Sequence, residues 1–193
     1  MRVVPLLTLE SQIKRALRRH LHGLGFGRDD RGRLTPPSGN KDTVRGLHSE
    51  QRREKLVAEH QFVTTAWPAL RCYFADGADV DPGRIRPCLE LIDADSWQSN
   101  LFRLASLTWS VPVSQGYGRR MRFLVWDEFN GKLIGLLALG DPVFNLSVRD
   151  KYIDWGSDER RERLVNVMDA YVLGAIPPYS RLLGGKLIAS LVR

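Results

Sequence analysis

The sequence predicts an α+β protein, with a basic helical region over residues 1–80 followed by a sheet-bearing domain over residues 81–193. Three observations carry this expectation. Apolar residues recur at helical spacing between Leu9 and Leu24, and opposite charges fall at helical spacing after Arg45. From Arg86 onward, short apolar runs alternate with helical patterns. Between the two styles lies the stretch 76–82, whose Asp, Gly and Pro residues read as a linker.

In the first region Leu9, Ile13, Leu17, Leu21 and Leu24 form one face of a helix that Gly23 or Gly25 ends, while Lys14, Arg15, Arg18 and Arg19 occupy other faces. Residues 25–46 hold Asp29-Asp30, Gly32, Pro36-Pro37 and Ser38-Gly39-Asn40, which predict a long loop. A second helix is expected from Arg45 to about Trp67, stopped by Pro68, with a short helical piece through Phe74.

In the second region Arg86–Ile92 reads as a strand, and Asp95 or Ser96 as the cap of a helix through Trp97, Leu101, Leu104 and Leu107. Met121–Trp126 and Lys132–Leu139 flank the turn signal Asn130-Gly131 and so form a hairpin. Leu146–Trp155 reads as a short helix or structured loop, and 158–163 as a charged turn. Leu164–Ile176 suits a buried strand ended by Pro177-Pro178, and Ser180 caps a last helix packing through Leu182, Leu183, Leu187, Ile188 and Leu191.

With 193 residues, 43% of them hydrophobic, the chain can bury a core and is not of the disordered class. Its net charge of +7 is uneven: residues 1–60 hold 13 Lys or Arg against 7 Asp or Glu, and residues 61–193 hold 16 against 15. Two cysteines, Cys72 and Cys88, exclude a disulfide framework, and His20, His22, His48 and His60 have no metal-ligand spacing. The apolar start, residues 1–7, meets Glu10 and Lys14 too soon for a signal peptide, and no run reaches the ~20 apolar residues of a membrane span. A cytoplasmic protein with no membrane partner and no metal is expected.

The basic excess marks a surface for a polyanion, with Lys14, Arg15, Arg18, Arg19, Arg52 and Arg53 as candidate nucleic-acid contacts. A helix-turn-helix variant and a solvated helical cap both fit this pattern. Arg119, Arg120 and Arg122, beside Gly116, Tyr117 and Gly118, form a second basic and aromatic stretch able to meet phosphates and a base, or to guard a sheet edge. Asp141, Asn145, Arg149, Asp150, Asp154 and Trp155 follow a strand end as a candidate polar site. Paired carboxylates hold Mg²⁺ or shuttle protons, whereas the local alternative has Asp141 capping a turn, Arg149 pairing with an acid and Trp155 filling a groove.

The order strand, helix, hairpin with a Gly-containing second strand, and strand into a glycine turn and helix resembles the GNAT acyltransferase superfamily. The matching words are Ile176-Pro177-Pro178-Tyr179 and Arg181-Leu182-Leu183-Gly184-Gly185-Lys186-Leu187, with Lys186 where that family has Gly or Ala. The resemblance implies a partial GNAT-like mixed sheet flanked by helices, with Arg181, Gly184 and Gly185 as the turn that would bind the coenzyme A pyrophosphate. The strands that complete the acyl-CoA cleft do not follow, so an exposed sheet edge is expected.

Leu133-Ile134-Gly135, Gly140 to Leu146 and Arg149-Asp150-Lys151-Tyr152-Ile153-Asp154-Trp155, with Asn166, Tyr171-Val172-Leu173 and Leu182 to Leu191, resemble the DruA family of the bacterial Druantia anti-phage systems. That resemblance covers at least residues 86–193 and implies a role in defence against phage, without implying a known reaction or cofactor. Nucleic acid and other defence-system proteins are the expected partners, and self-association stays open. Members of the family usually continue further, so the expectation is an N-terminal portion, a truncated product or a subunit completed by a partner. An acyl-CoA-dependent N-acyltransferase and a transposon-associated DNA-binding protein are the alternatives.

Overall fold

The computed structural model describes residues 8–37, 39–114, 118–182 and 184–192. The apolar start at residues 1–7, Gly116 and Tyr117 of the second basic stretch, and Leu183 lie outside the described residues. The chain divides into two compact units, residues 1–53 and 54–193.

The first unit opens with α1 (Leu9–Gly23), whose cap residue Thr8 accepts a hydrogen bond from the Ser11 amide at 3.4 Å. The stretch expected to be a loop contains a small antiparallel pair, β1 (Gly27–Arg28) with β2 (Leu34–Thr35), and then α2 (Lys41–Leu47). The Asn40 side chain accepts from the Thr43 amide at 2.7 Å and so starts α2. The single helix expected from Arg45 is instead divided into α2, α3 (Ser49–Ala58) and α4 (His60–Leu70). Charge pairing says which residues favour helix but not where one axis ends and the next begins.

In the second unit α4 runs through Pro68 rather than stopping before it. Its Phe62, Val63, Ala66 and Leu70 pack into the core of the sheet, and that packing outweighs the missing amide of one proline. A sheet of order β3 (Pro87–Leu91), β4 (Arg120–Asp127), β5 (Lys132–Gly140) and β6 (Asp169–Ala175) follows, with α5 (Trp97–Ser106) between β3 and β4. The α+β class holds, and all three strand pairings are antiparallel rather than mixed. Between β5 and β6 lie α6 (Ser147–Tyr152) and α7 (Ser157–Arg163), so the expected charged turn is helical. Only the second half of the expected strand 164–176 pairs, because Leu164–Asn166 forms a 3-10 turn.

Both sheet faces are covered. Leu101, Phe102, Leu104 and Ala105 of α5 pack with Leu124, Leu133, Leu136 and Val172 on one face. On the other, Val125, Ile134, Leu137 and Ala175 pack with Tyr179 of α8 (Tyr179–Leu182) and Ile188 of α9 (Lys186–Ser190). Burial on both sides explains why β5 is apolar at consecutive positions, Leu133-Ile134-Gly135-Leu136-Leu137-Ala138, instead of alternating. Gly135 is required at its position, since a Cβ there would stand 2.4 Å from the Gly174 carbonyl oxygen and 2.9 Å from Ala175 Cα.

Candidate nucleic-acid interface

The basic surface is built on α1. Leu17 and Leu21 are four residues apart and share one face, and Lys14, Arg18 and His22 follow at the same spacing on the adjacent face. Arg15 and Arg19 form a further row beyond them. Lys14 pairs with Glu10 one turn before it. Arg15, Arg18 and Arg19 are exposed and, among the described residues, have no ion-pair partner.

The exit from α1 sets the second wall. The Gly25 amide donates to the His22 carbonyl at 2.9 Å and the Phe26 amide to the Leu21 carbonyl at 3.0 Å, with Gly25 at φ +84°. This left-handed closure favours glycine and turns Phe26 back beside Leu21. At the tip of the β1–β2 pair the Asp29 carboxylate accepts from the amides of Arg31 at 3.0 Å and Arg33 at 2.8 Å, and Gly32 takes φ +74°. The acid is turned onto the backbone, and the exposed Arg31 has no ion-pair partner among the described residues.

A groove opens between α1 and this pair of strands. Leu17, Leu21, Phe26 and Leu34 make its apolar floor, and Lys14, Arg18, His22 and Arg28 stand around it. Residues 8–53 carry eleven Lys or Arg against five Asp or Glu. A cationic rim over an apolar floor can hold a polyanion whose backbone follows the rim.

The other candidate cations are more committed to the fold. Arg53 grips Glu50 one turn earlier and holds that carboxyl below its usual pKa, and Arg52 is half-buried. Arg119 donates through its amide and Nε to the Asp141 carboxylate, each at 2.8 Å, and through Nη1 to the Val165 carbonyl at 2.6 Å. Hydrogen bonding by Arg119 holds the Asp141 carboxyl below the usual aspartate range. Arg122 lies 5.7 Å from the centre of the Phe102 ring, and Arg120 is exposed.

The polar stretch after β5 separates into parts. Asp141 belongs with Arg119, as above, while Asn145 is exposed. Asp150 is buried and accepts from Arg149 Nε at 2.9 Å, Arg149 Nη2 at 2.7 Å, Arg160 Nη1 at 2.8 Å and the Leu146 amide at 3.3 Å. Burial raises its pKa, and the bonds from Arg160 and Arg149 more than offset this, so the carboxyl sits below its ordinary value. Arg149 also donates to the carbonyls of Val143 at 2.8 Å and Phe144 at 2.9 Å. Asp154 holds a left-handed turn at φ +56°, and Trp155 donates its amide to the Asp150 carbonyl at 2.8 Å. This group ties the loop together, with its carboxylate fully engaged. No group of three or more His, Cys, Asp or Glu among the described residues could hold a metal ion.

Arg181 is exposed, with its amide bonded to the Pro178 carbonyl at 3.0 Å, and Gly184 takes φ +55° before Gly185 and the five-residue α9. Sequence reasoning missed a buried network on this side of the sheet. Asp127, fully buried, accepts from the Tyr179 hydroxyl at 2.9 Å, the Arg86 amide at 3.0 Å and the Phe129 amide at 3.1 Å. Burial first, and then the neighbouring Asp127, push the Tyr179 hydroxyl up to about 12, against the opposing bond from Asn130. The one signal available was an aspartate directly after an apolar strand and beside the Asn130-Gly131 turn.

A family model described as Druantia protein DruA matches residues 38–192. A curated relative, the Druantia protein DruA of Escherichia coli (strain UMEA 4076-1), is 58% identical over 184 residues, covering 95% of this chain. The chain spans about half the length of that relative, 46% of it. No solved structure gives a significant match.

Proposed function

Because this chain belongs to the DruA family, we propose that it is a component of a bacterial anti-phage defence system that works by binding nucleic acid and assembling with other proteins of the system. The observation that carries the nucleic-acid part is the α1 surface, where Arg15, Arg18 and Arg19 face solvent without an anionic partner among the described residues. Fixed cations left unneutralised are what a phosphate backbone replaces counterions on, and such contacts supply most sequence-independent affinity. Among the described residues no helix is long and apolar enough to cross a membrane.

Assembly is supported by the apolar surface of the loop that Asp150 ties down. Phe144, Val148 and Tyr152 are exposed there, Tyr152 at 89%, on a backbone held by Arg149 and Arg160. Rigid exposed aromatic and aliphatic side chains are suited to a protein partner. No corresponding observation favours acyl transfer, since α9 is five residues long and too short to offer a helix-dipole site to a pyrophosphate.

The test is binding of single-stranded and duplex DNA to the full chain over a salt series. Binding should weaken steeply with salt, and Arg15→Glu/Arg18→Glu/Arg19→Glu should reduce the slope by roughly two to three units. No affinity at low salt would sink the nucleic-acid reading.

A further inference from the structure

We infer that the groove between α1 and the β1–β2 pair takes an unpaired base, so that its ligand is single-stranded nucleic acid rather than duplex. The inference rests on the nucleic-acid reading of α1 and goes further by naming the ligand class. Leu17 and Leu34 in the groove are each more than half exposed, 56% and 54%, while Leu21 and Phe26 beside them are half-buried. A duplex presents sugar and phosphate to a surface of this kind, and neither would cover an apolar floor. An unpaired base has a flat apolar face that stacks on a ring such as Phe26, while its flanking phosphates reach cations on either side.

The geometry suits that arrangement. Lys14, Arg18 and His22 run along one wall at one-turn spacing, and Arg28 stands on the other wall. Arg18 and Arg28 therefore put a positive charge on each side of the floor, as a strand entering and leaving the groove requires. Phe26 is set by backbone bonds and not by its ring, because its amide is fixed to the Leu21 carbonyl and Gly27 pairs with Thr35. Its side chain can thus be exchanged with the turn kept.

The experiment compares a labelled oligo-dT of about twelve nucleotides, an abasic strand of the same length and a duplex, by fluorescence anisotropy with the full chain. The oligo-dT should bind tightest. Phe26→Leu should lower its affinity roughly 5- to 150-fold and leave the salt slope and the abasic strand unaffected, and Phe26→Trp should restore the preference. Arg18→Gln should reduce the single-strand salt slope by about 0.7. Equal binding of all three probes with a common salt slope would overturn the inference while leaving the nucleic-acid reading in place. No binding of any probe at low salt would overturn both. Tighter binding of a Glu- and Leu-rich peptide than of oligo-dT would assign the groove to a protein and overturn the inference.

Discussion

The Tyr179 hydroxyl donates to Asp127 Oδ2 at 2.9 Å, and both side chains have no solvent exposure. The bond joins the first residue of α8 to the last residue of β4, so it fastens the helical layer to the end of the central hairpin. A carboxylate in that place is tolerable because the backbone amides of Arg86 and Phe129 also donate to it.

Replacing Tyr179 by Phe removes one donor and leaves the others, and should cost about 1–3 kcal/mol in chemical denaturation. Asp127→Ala strands three donors at once and should cost more.

The raised Tyr179 pKa has a pH consequence. An unfolded tyrosine ionises near its reference value of 10, whereas the folded one holds its proton to about 12. Over that interval the unfolded state binds fewer protons, so stability present below pH 10 is lost as pH rises toward 12. Thermal unfolding of Tyr179→Phe should lack this alkaline decline.

Asp150 behaves in the opposite sense. Its folded pKa lies below the reference value of 3.8, so its stabilisation is full above that value and is lost as pH falls through the folded pKa. Asp150→Asn should abolish this acid sensitivity and speed amide exchange at Leu146, whose amide donates to the Asp150 carboxylate.

Arg119 and Arg18 should separate two roles that sequence assigns to both. Arg119→Ala breaks bonds to Asp141 and to Val165, so it should lower the unfolding midpoint and leave the salt slope of DNA binding unchanged. Arg18→Ala should do the reverse, shrinking the slope by about 0.7 to 0.9 with stability changed by less than about 0.5 kcal/mol.

Gly135→Ala forces a methyl against the Gly174 carbonyl oxygen at 2.4 Å, inside a strand buried on both faces. It should cost about 1–3 kcal/mol, read as a lower denaturant midpoint.

Local chemistry was legible. The Asn130-Gly131 signal marks the β4–β5 connection, with Gly131 at φ +69°, and Ser96 caps α5 through the Ser99 amide at 3.4 Å. The helical periodicity of α1 and its basic faces were equally readable. The helix interruptions that divide α2, α3 and α4 were not, since Pro68 stands inside α4 while the interruptions fall at His48 and Glu59. Nor was the groove beside α1, because a loop-like composition hid the two-residue strands β1 and β2 that form its other wall.

Sequence by itself determined the α+β class, the central hairpin, the Ser96 cap of α5 and the concentration of positive charge before residue 60, because each depends on neighbours within a few positions along the chain. The expected Ser180 cap fails, since Ser180 lies inside α8 and the last helix is split into α8 and α9. Only the tertiary structure decided which charges remain available. Arg119 meets an acid 22 positions away, Arg160 one 10 positions away, and Tyr179 one 52 positions away. Arg15, Arg18 and Arg19 meet none among the described residues. Electrostatic pairing depends on separation in space, and folding alone sets that separation for residues distant in the chain.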